Sequence, residues 1–192
     1  MDRYSILVAD SSETSRKLVI NLLKQKGYKV YKATDGAGAL RIARSIFPDL
    51  ALIDINLWGI KAYEIGKIIE EDGLSTVVYM IRKPDDNFFK QLKNMNLYAY
   101  INKPVNSSQF HQTIEFSLMN LDKIKSLEKK VENLENTLKA RKLINRAKGL
   151  IMENLDISEN QAYKLLRSKS MDKCISMEKM AEKIINKYLP ND

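Results

Sequence analysis

The sequence has a single cysteine, Cys174, and a single histidine, His111. A lone cysteine excludes an internal disulfide and suits a reducing compartment such as the cytoplasm. One cysteine and one histidine are too few for a Cys/His zinc site. No apolar run approaches the ~20 residues that would cross a bilayer. The apolar stretch behind the N-terminus, Ile6 to Ala9, is too short for a signal-peptide core. A glycine-rich phosphate loop, a histidine cluster and a nucleophile–base pair are also missing, which argues against an enzyme centre. Glycine and proline are absent between Val105 and Lys148, so a helix entering that stretch meets no stop signal. These absences lead to the expectation of a cytoplasmic, non-enzymatic, metal-poor protein with no membrane partner.

What is present suits a folded chain. Its 192 residues are 44% hydrophobic and 29% charged, enough for one large domain or two modest ones. The net charge of +8 is uneven: residues 1–116 hold 16 Lys/Arg against 13 Asp/Glu, and residues 117–192 hold 16 against 11. A basic excess in the shorter region suggests a polyanionic partner, although solvated helix faces alone would account for it.

Through residue 116, short β-rich runs alternate with helical patterns. Ile6–Ala9 leads into a helix through Leu18, Leu22 and Leu23 that ends at Gly27. Tyr28–Ala33 precedes a helix from Asp35 to Phe47, stopped by Pro48. Ala51–Ile53 precedes an Ile65/Ile68/Ile69 face ending at Gly73; Thr76–Ile81 and Tyr98–Ile101 complete five runs. This alternation predicts parallel βαβ units with helices on both faces of the sheet, and a site beyond the carboxyl ends of the strands.

Asp10, Asp54 and Lys103 fall at those ends. A strand-tip aspartate facing a second carboxylate and a lysine can accept a phosphoryl group, with the carboxylates holding Mg²⁺ and the lysine countering charge. Singly, each residue is better read as loop chemistry; three at the correct ends favour the site. Ile6-Leu7-Val8-Ala9-Asp10, Pro48-Asp49-Leu50-Ala51-Leu52-Ile53-Asp54 and Lys103-Pro104 resemble response-regulator receiver domains over residues 4–118. The resemblance implies a flavodoxin-like five-stranded sheet, Asp54 as phosphoacceptor, Tyr100 as the aromatic switch residue and the Asn56 backbone as a third Mg²⁺ ligand beside Asp10 and Asp54. It also implies a histidine kinase or other signalling protein as partner.

Departures from the family pattern bear on that pocket. The second of the two acids expected after strand one is Ser11, and the hydroxyl residue expected after strand four is Ile81. The usual Pro and Asp-Gly after the acceptor are replaced by Trp58 and Lys61-Ala62. The first change removes a metal ligand and the second a phosphoryl contact. Two readings stand side by side: phosphorylation at Asp54, or a pseudo-receiver answering a different signal.

Further on, Ile124, Leu127, Val131, Leu134 and Leu138 follow a 3-4-3-4 spacing, the mark of a coiled-coil stripe. With Ile124, Val131 and Leu138 at a and the leucines at d, Lys123 and Lys130 take g positions while Glu128 and Glu135 take e. Such charges pair across a parallel homodimer; the plainer alternative is packing onto the same chain.

The last fifty residues pattern as three helices. Leu143/Ile144, Ala147, Leu150/Ile151 and Leu155 continue one face until Asp156-Ile157. Ser158-Glu159-Asn160-Gln161 is a capping box that opens a helix burying Ala162, Leu165 and Leu166 and fading at Ser168–Ser170. A third helix from Ser176 presents Met177, Met180, Ala181, Ile184, Ile185 and Tyr188 until Pro190. Lys139, Lys142 and Arg146 form a basic ridge, and Lys164, Arg167 and Lys169 lie on the second helix with Tyr163 among them. Taken alone, the ridge reads as a solvated face and Tyr163 as a half-buried packing residue. Arg141-Lys142-Leu143-Ile144-Asn145-Arg146-Ala147-Lys148-Gly149-Leu150-Ile151-Met152, then Glu159-Asn160-Gln161-Ala162-Tyr163-Lys164-Leu165-Leu166-Arg167, Ser170-Met171 and Met180-Ala181-Glu182-Lys183-Ile184-Ile185, resemble the ANTAR domain over residues 138–188, with Ser170 where the family has alanine. The resemblance implies binding to paired hairpins in a nascent mRNA leader and antitermination of transcription.

The expected architecture is a receiver-like α/β domain (1–118), a coiled-coil linker helix (119–138) and a three-helix RNA-binding bundle (139–192). Arg141, Lys142, Arg146, Lys148 and Arg167 are the candidate RNA contacts. Ala147 and Ala162 are expected to pack, and Gly149 to permit close helix approach. The alternatives are a DNA-binding regulator, for which Glu178 and Glu182 make the third helix a poor recognition face, and a protein-interaction adaptor.

Overall fold

The computed structural model describes residues 4–92 and 99–188. The chain divides into two compact units, Met1–Lys125 and Ser126–Asp192. In the first, β1 (Ser5–Ala9), α1 (Glu13–Gln25), β2 (Lys29–Ala33), α2 (Gly36–Ile46), β3 (Leu50–Asp54), α3 (Ala62–Glu71), β4 (Thr76–Ile81), α4 (Asp86–Leu92) and β5 (Tyr100–Asn102) alternate in order. They form one parallel sheet with strand order β2-β1-β3-β4-β5, the flavodoxin-like arrangement. The fifth strand starts at Tyr100; Tyr98, where the sequence pattern begins it, lies outside the described residues.

Burial explains why the strands read as continuous apolar runs. β3 is buried at all five positions because it is central and covered on both faces. Leu7, Ala9, Ala51, Ile53, Val77 and Tyr79 pack on one side, against α2, α3 and Phe88. Ile6, Val8, Leu50, Leu52, Val78 and Met80 pack on the other, against α1 and the helix that follows β5. That helix, α5, runs from Ser107 to Leu155, as the missing glycine and proline led one to expect. Its residues Phe110, Ile114, Leu118 and Leu121 belong to the second of these cores.

In the second unit, the end of α5 packs with α6 (Glu159–Asp172) and α7 (Met177–Tyr188) around Ala147, Ile151, Ala162, Leu166, Met180, Ala181, Ile184 and Ile185. Ala147 and Ala162 are fully buried, as expected. Asp156 adopts a left-handed conformation that turns the chain between α5 and α6. The Ser158/Gln161 capping box then closes the start of α6. α6 continues two residues beyond the expected fade, with Ser170 buried and its hydroxyl donating to the Arg167 carbonyl at 2.8 Å. The same bond shows how serine fits where alanine is usual. α7 starts at Met177, with the Ser176 hydroxyl accepting the Lys179 N–H at 3.3 Å; Pro190 lies outside the described residues. The role expected of Gly149 is not met, since a Cβ placed there would encounter nothing within 4 Å. No helix among the described residues is long and apolar enough to cross a membrane.

Candidate functional site

The parallel strands bring three residues from distant parts of the sequence together at the carboxyl end of the sheet. β1 delivers Asp10, β3 ends at Asp54, and Lys103 follows β5. Lys103 Nζ lies 2.7 Å from Asp10 Oδ2 and 2.9 Å from Asp54 Oδ2, and all three side chains are nearly or fully buried. Asp10 Oδ1 also accepts the Ser12 N–H at 2.9 Å. Burial pushes the Asp10 carboxyl up, but hydrogen bonds from Lys103, Ser15 and Ser12 outweigh it and hold the group below the usual aspartate range. Burial also drives Asp54, which the Asp10 charge raises further; Lys103 only partly offsets this, and Asp54 stays above that range.

Ser11 performs a task the sequence did not disclose. Its hydroxyl donates to the Thr34 carbonyl at 3.0 Å and accepts the Trp58 N–H at 2.8 Å. It therefore ties together the loops after β1, β2 and β3. The Gly36 N–H donates to the Trp58 carbonyl at 2.9 Å, which strengthens the same junction. Above the carboxylates opens a cavity of about 760 Å³ whose walls include Ser12, Thr14, Ser15, Trp58 and Arg82. Sequence reasoning missed Arg82 and this run of hydroxyls. The available signal was a cation directly after Ile81 and Ser12, Thr14 and Ser15 at the strand–helix junction. Tyr100 is half-buried, its ring edge-on to Phe88 and Phe89 at 5.5 and 5.9 Å.

The Mg²⁺ ligands implied by the receiver resemblance are Asp10, Asp54 and the Asn56 backbone; Asp54 and Asn56 line the cavity, and Ser11 supplies no further carboxylate there. Mg²⁺ demands near-ideal octahedral oxygen coordination. Both Asp10 oxygens are engaged, the Ser11 hydroxyl is used in both directions, and Asp54 Oδ2 faces Lys103. Asp54 Oδ1 has no hydrogen-bond partner but is shut away from solvent. Among the described residues no three His, Cys, Asp or Glu side chains are grouped to hold a metal.

In the helical unit the basic residues divide into two kinds. Arg141, Lys142, Arg146 and Arg167 are exposed, and none joins a salt bridge among the described residues. Lys148 differs: its side chain is 14% exposed and its Nζ lies 2.6 Å from Glu159 Oε1. That contact holds the Glu159 carboxyl below its usual range. Lys148 thus links α5 to the first turn of α6, and Arg141, Lys142, Arg146 and Arg167 remain available to an anion. Tyr163, read from sequence as a packing residue, is instead 42% exposed.

Along α5, Leu127, Val131, Leu134 and Leu138 are all exposed, and Ile124 is half-buried. Among the described residues these four positions stay largely open to solvent.

Comparison with known proteins places both units. Residues 6–115 match the response regulator receiver domain family and residues 132–185 match the ANTAR domain family. The chain is 25% identical over 181 residues to the transcriptional regulatory protein PdtaR of Mycobacterium tuberculosis, covering 94% of this chain and 88% of that protein. It is 28% identical over 117 residues to the polar-differentiation response regulator DivK of Brucella ovis, covering 58% of this chain and 93% of that protein. A solved receiver domain protein from Methanospirillum hungatei superposes with a TM-score of 0.60 at 23% identity, covering 64% of this chain and 98% of that one; at that identity the likeness speaks for the fold.

Proposed function

This chain belongs to the response regulator receiver family and carries a C-terminal ANTAR domain, and from that premise we propose that it is a dimeric antiterminator that grips hairpins in nascent mRNA leaders. Both families are regulatory modules; ANTAR domains bind RNA and receiver domains interact with kinases. The observation that carries the proposal is the set of exposed cations Arg141, Lys142, Arg146 and Arg167 on one small bundle, none in a salt bridge among the described residues. Cations left without internal partners are suited to phosphates, and phosphate contacts fix position on a folded RNA while loop contacts specify sequence. Two bundles joined through the stripe Ile124, Leu127, Val131, Leu134 and Leu138 convert two weak hairpin contacts into one strong one through effective concentration.

Filter binding tests this directly. The protein should hold a tandem stem-loop RNA more tightly than duplex DNA of the same sequence. Its log affinity should fall with log salt at about 0.7 per single-strand phosphate contact. Equal affinity for both, or no dependence on salt, overturns the RNA reading in favour of a DNA-binding regulator or an adaptor.

The input is the receiver pocket. Ser11 and Ile81, which remove a metal ligand and a phosphoryl contact, favour a signal other than phosphorylation. The Lys103–Asp54 contact of 2.9 Å favours Asp54 as acceptor. Intact mass after incubation with a small phosphodonor and Mg²⁺ separates the two: an added phosphoryl mass lost in Asp54→Asn supports the acceptor, and an unchanged mass supports the other signal.

A further inference from the structure

α6 turns its small and apolar residues Ala162, Leu166 and Ser170 into the bundle core. The neighbouring face, about 100° further round the helix, carries Tyr163, Arg167 and Met171, spaced i, i+4, i+8, so they form one ridge. Tyr163 is 42% and Met171 66% exposed, and Arg167 and the adjacent Lys164 are exposed as well. An exposed aromatic and an exposed methionine on one ridge of so basic a unit need an account. A ridge meant only for water would not carry two large apolar side chains. One meant for an apolar protein partner would not place the Arg167 guanidinium between them and Lys164 alongside.

Resting on the RNA-binding reading above, we propose that this ridge of α6 is the base-reading surface, with Tyr163 stacking on an unpaired loop base and Met171 lying against the next. Tyrosine offers a flat face that any base can stack on, and the Arg167 guanidinium between the two apolar residues can stack and attract phosphate at once. Lys164 adds charge, and the acid one turn before Tyr163, Glu159, is already paired with Lys148. The α5 cations Arg141, Lys142 and Arg146 then position the backbone. Lys148, spent on Glu159, braces the corner between the helices without meeting RNA. Specificity and electrostatic grip are thereby assigned to different helices.

The test uses the full chain and tandem stem-loops selected from a pool with randomised loops, carrying 2-aminopurine in the loops. Wild type should quench the loop fluorophore on binding. Tyr163→Leu, which keeps apolar bulk but no ring, should lose about five- to hundredfold in affinity and most of the quench while the salt slope stays the same. Tyr163→Phe should match wild type, and Lys142→Gln with Arg146→Gln should flatten the salt slope while keeping the quench. If wild type binds no selected RNA, the RNA reading falls and this assignment falls with it. If wild type binds and Tyr163→Leu binds and quenches equally, only the stacking assignment is overturned. A Tyr163→Leu chain that changes sedimentation but not RNA affinity assigns the ridge to a second copy, and likewise overturns it.

Discussion

The Ser11 hydroxyl accepts the Trp58 N–H at 2.8 Å, so the residue standing where a second acid is expected fastens the pocket rim. Trp58 is the single tryptophan of the chain and is exposed at that rim, which makes its fluorescence a local probe. Millimolar Mg²⁺ should leave wild-type emission unchanged, whereas Ser11→Asp should respond saturably with affinity higher by about tenfold or more. A flat response from both would show that the pocket lacks more than the acid.

Lys103 is the one cation shared by two buried carboxylates, and its loss leaves both without a counter-charge from that side chain. Lys103→Met should lower unfolding free energy by about 3–5 kcal/mol in urea melts. Adding Asp54→Asn should restore part of this, because one of the two stranded charges is removed. A Lys103→Met protein as stable as wild type would mean that the carboxylates find other partners.

The pH dependence follows from opposite shifts at the two aspartates. Asp10 sits below its usual range, so its contribution is present above its unfolded pKa of about 3.9 and is lost as pH falls through the lower folded value. Asp54 sits above that range and acts in reverse, favouring the fold in acid and withdrawing that support as pH rises through its folded value. Wild-type stability should therefore drop on acidification below about pH 4, and Asp10→Asn should flatten that drop in urea melts across the acid range. An unchanged profile would remove Asp10 from the account.

The exposed stripe along α5 predicts self-association. Leu127→Lys with Leu134→Lys should halve the mass seen by sedimentation and weaken binding to tandem hairpins far more than to a single hairpin. A dimer that survives both changes would place the contact elsewhere on the chain.

Gly149 has open space where a Cβ would go and lies within a helix. Gly149→Ala should stabilise the bundle by about 1 kcal/mol, a few degrees in its melt. RNA affinity should be unchanged, and a fall there would show that the bare backbone serves a ligand.

What the sequence made legible was whatever periodicity and strand ends encode. Alternating β-rich runs and helical faces placed Asp10, Asp54 and Lys103 at one end of the sheet, and a 3-4 spacing placed Leu127, Val131 and Leu134 on one stripe. Side-chain direction was not encoded in that way. Lys148 falls in the same basic run as Arg146, yet a turn at Asp156 brings Glu159 onto it and takes it out of the basic face. Tyr163 could equally have faced inwards by composition; its neighbours Ala162 and Leu166 took the core, and the helical period then turned it out. Ser11 read as the loss of a ligand because its two bonds reach loops far along the chain, and such partners appear only once the sheet is assembled.

The covering of Ile6 and Val8 by Phe110, Ile114, Leu118 and Leu121 has a consequence for biosynthesis. A chain leaving the ribosome N-terminus first can pair its opening strands early, but one side of that sheet has only α1 over it, and stays partly bare until Leu121 emerges. During that interval the nascent protein presents greasy surface of the kind chaperones recognise. The terminal trio of helices, whose contacts join near neighbours in sequence, can collapse quickly once translated. Truncations ending before Leu121 should accordingly aggregate, and those ending after it should stay dispersed.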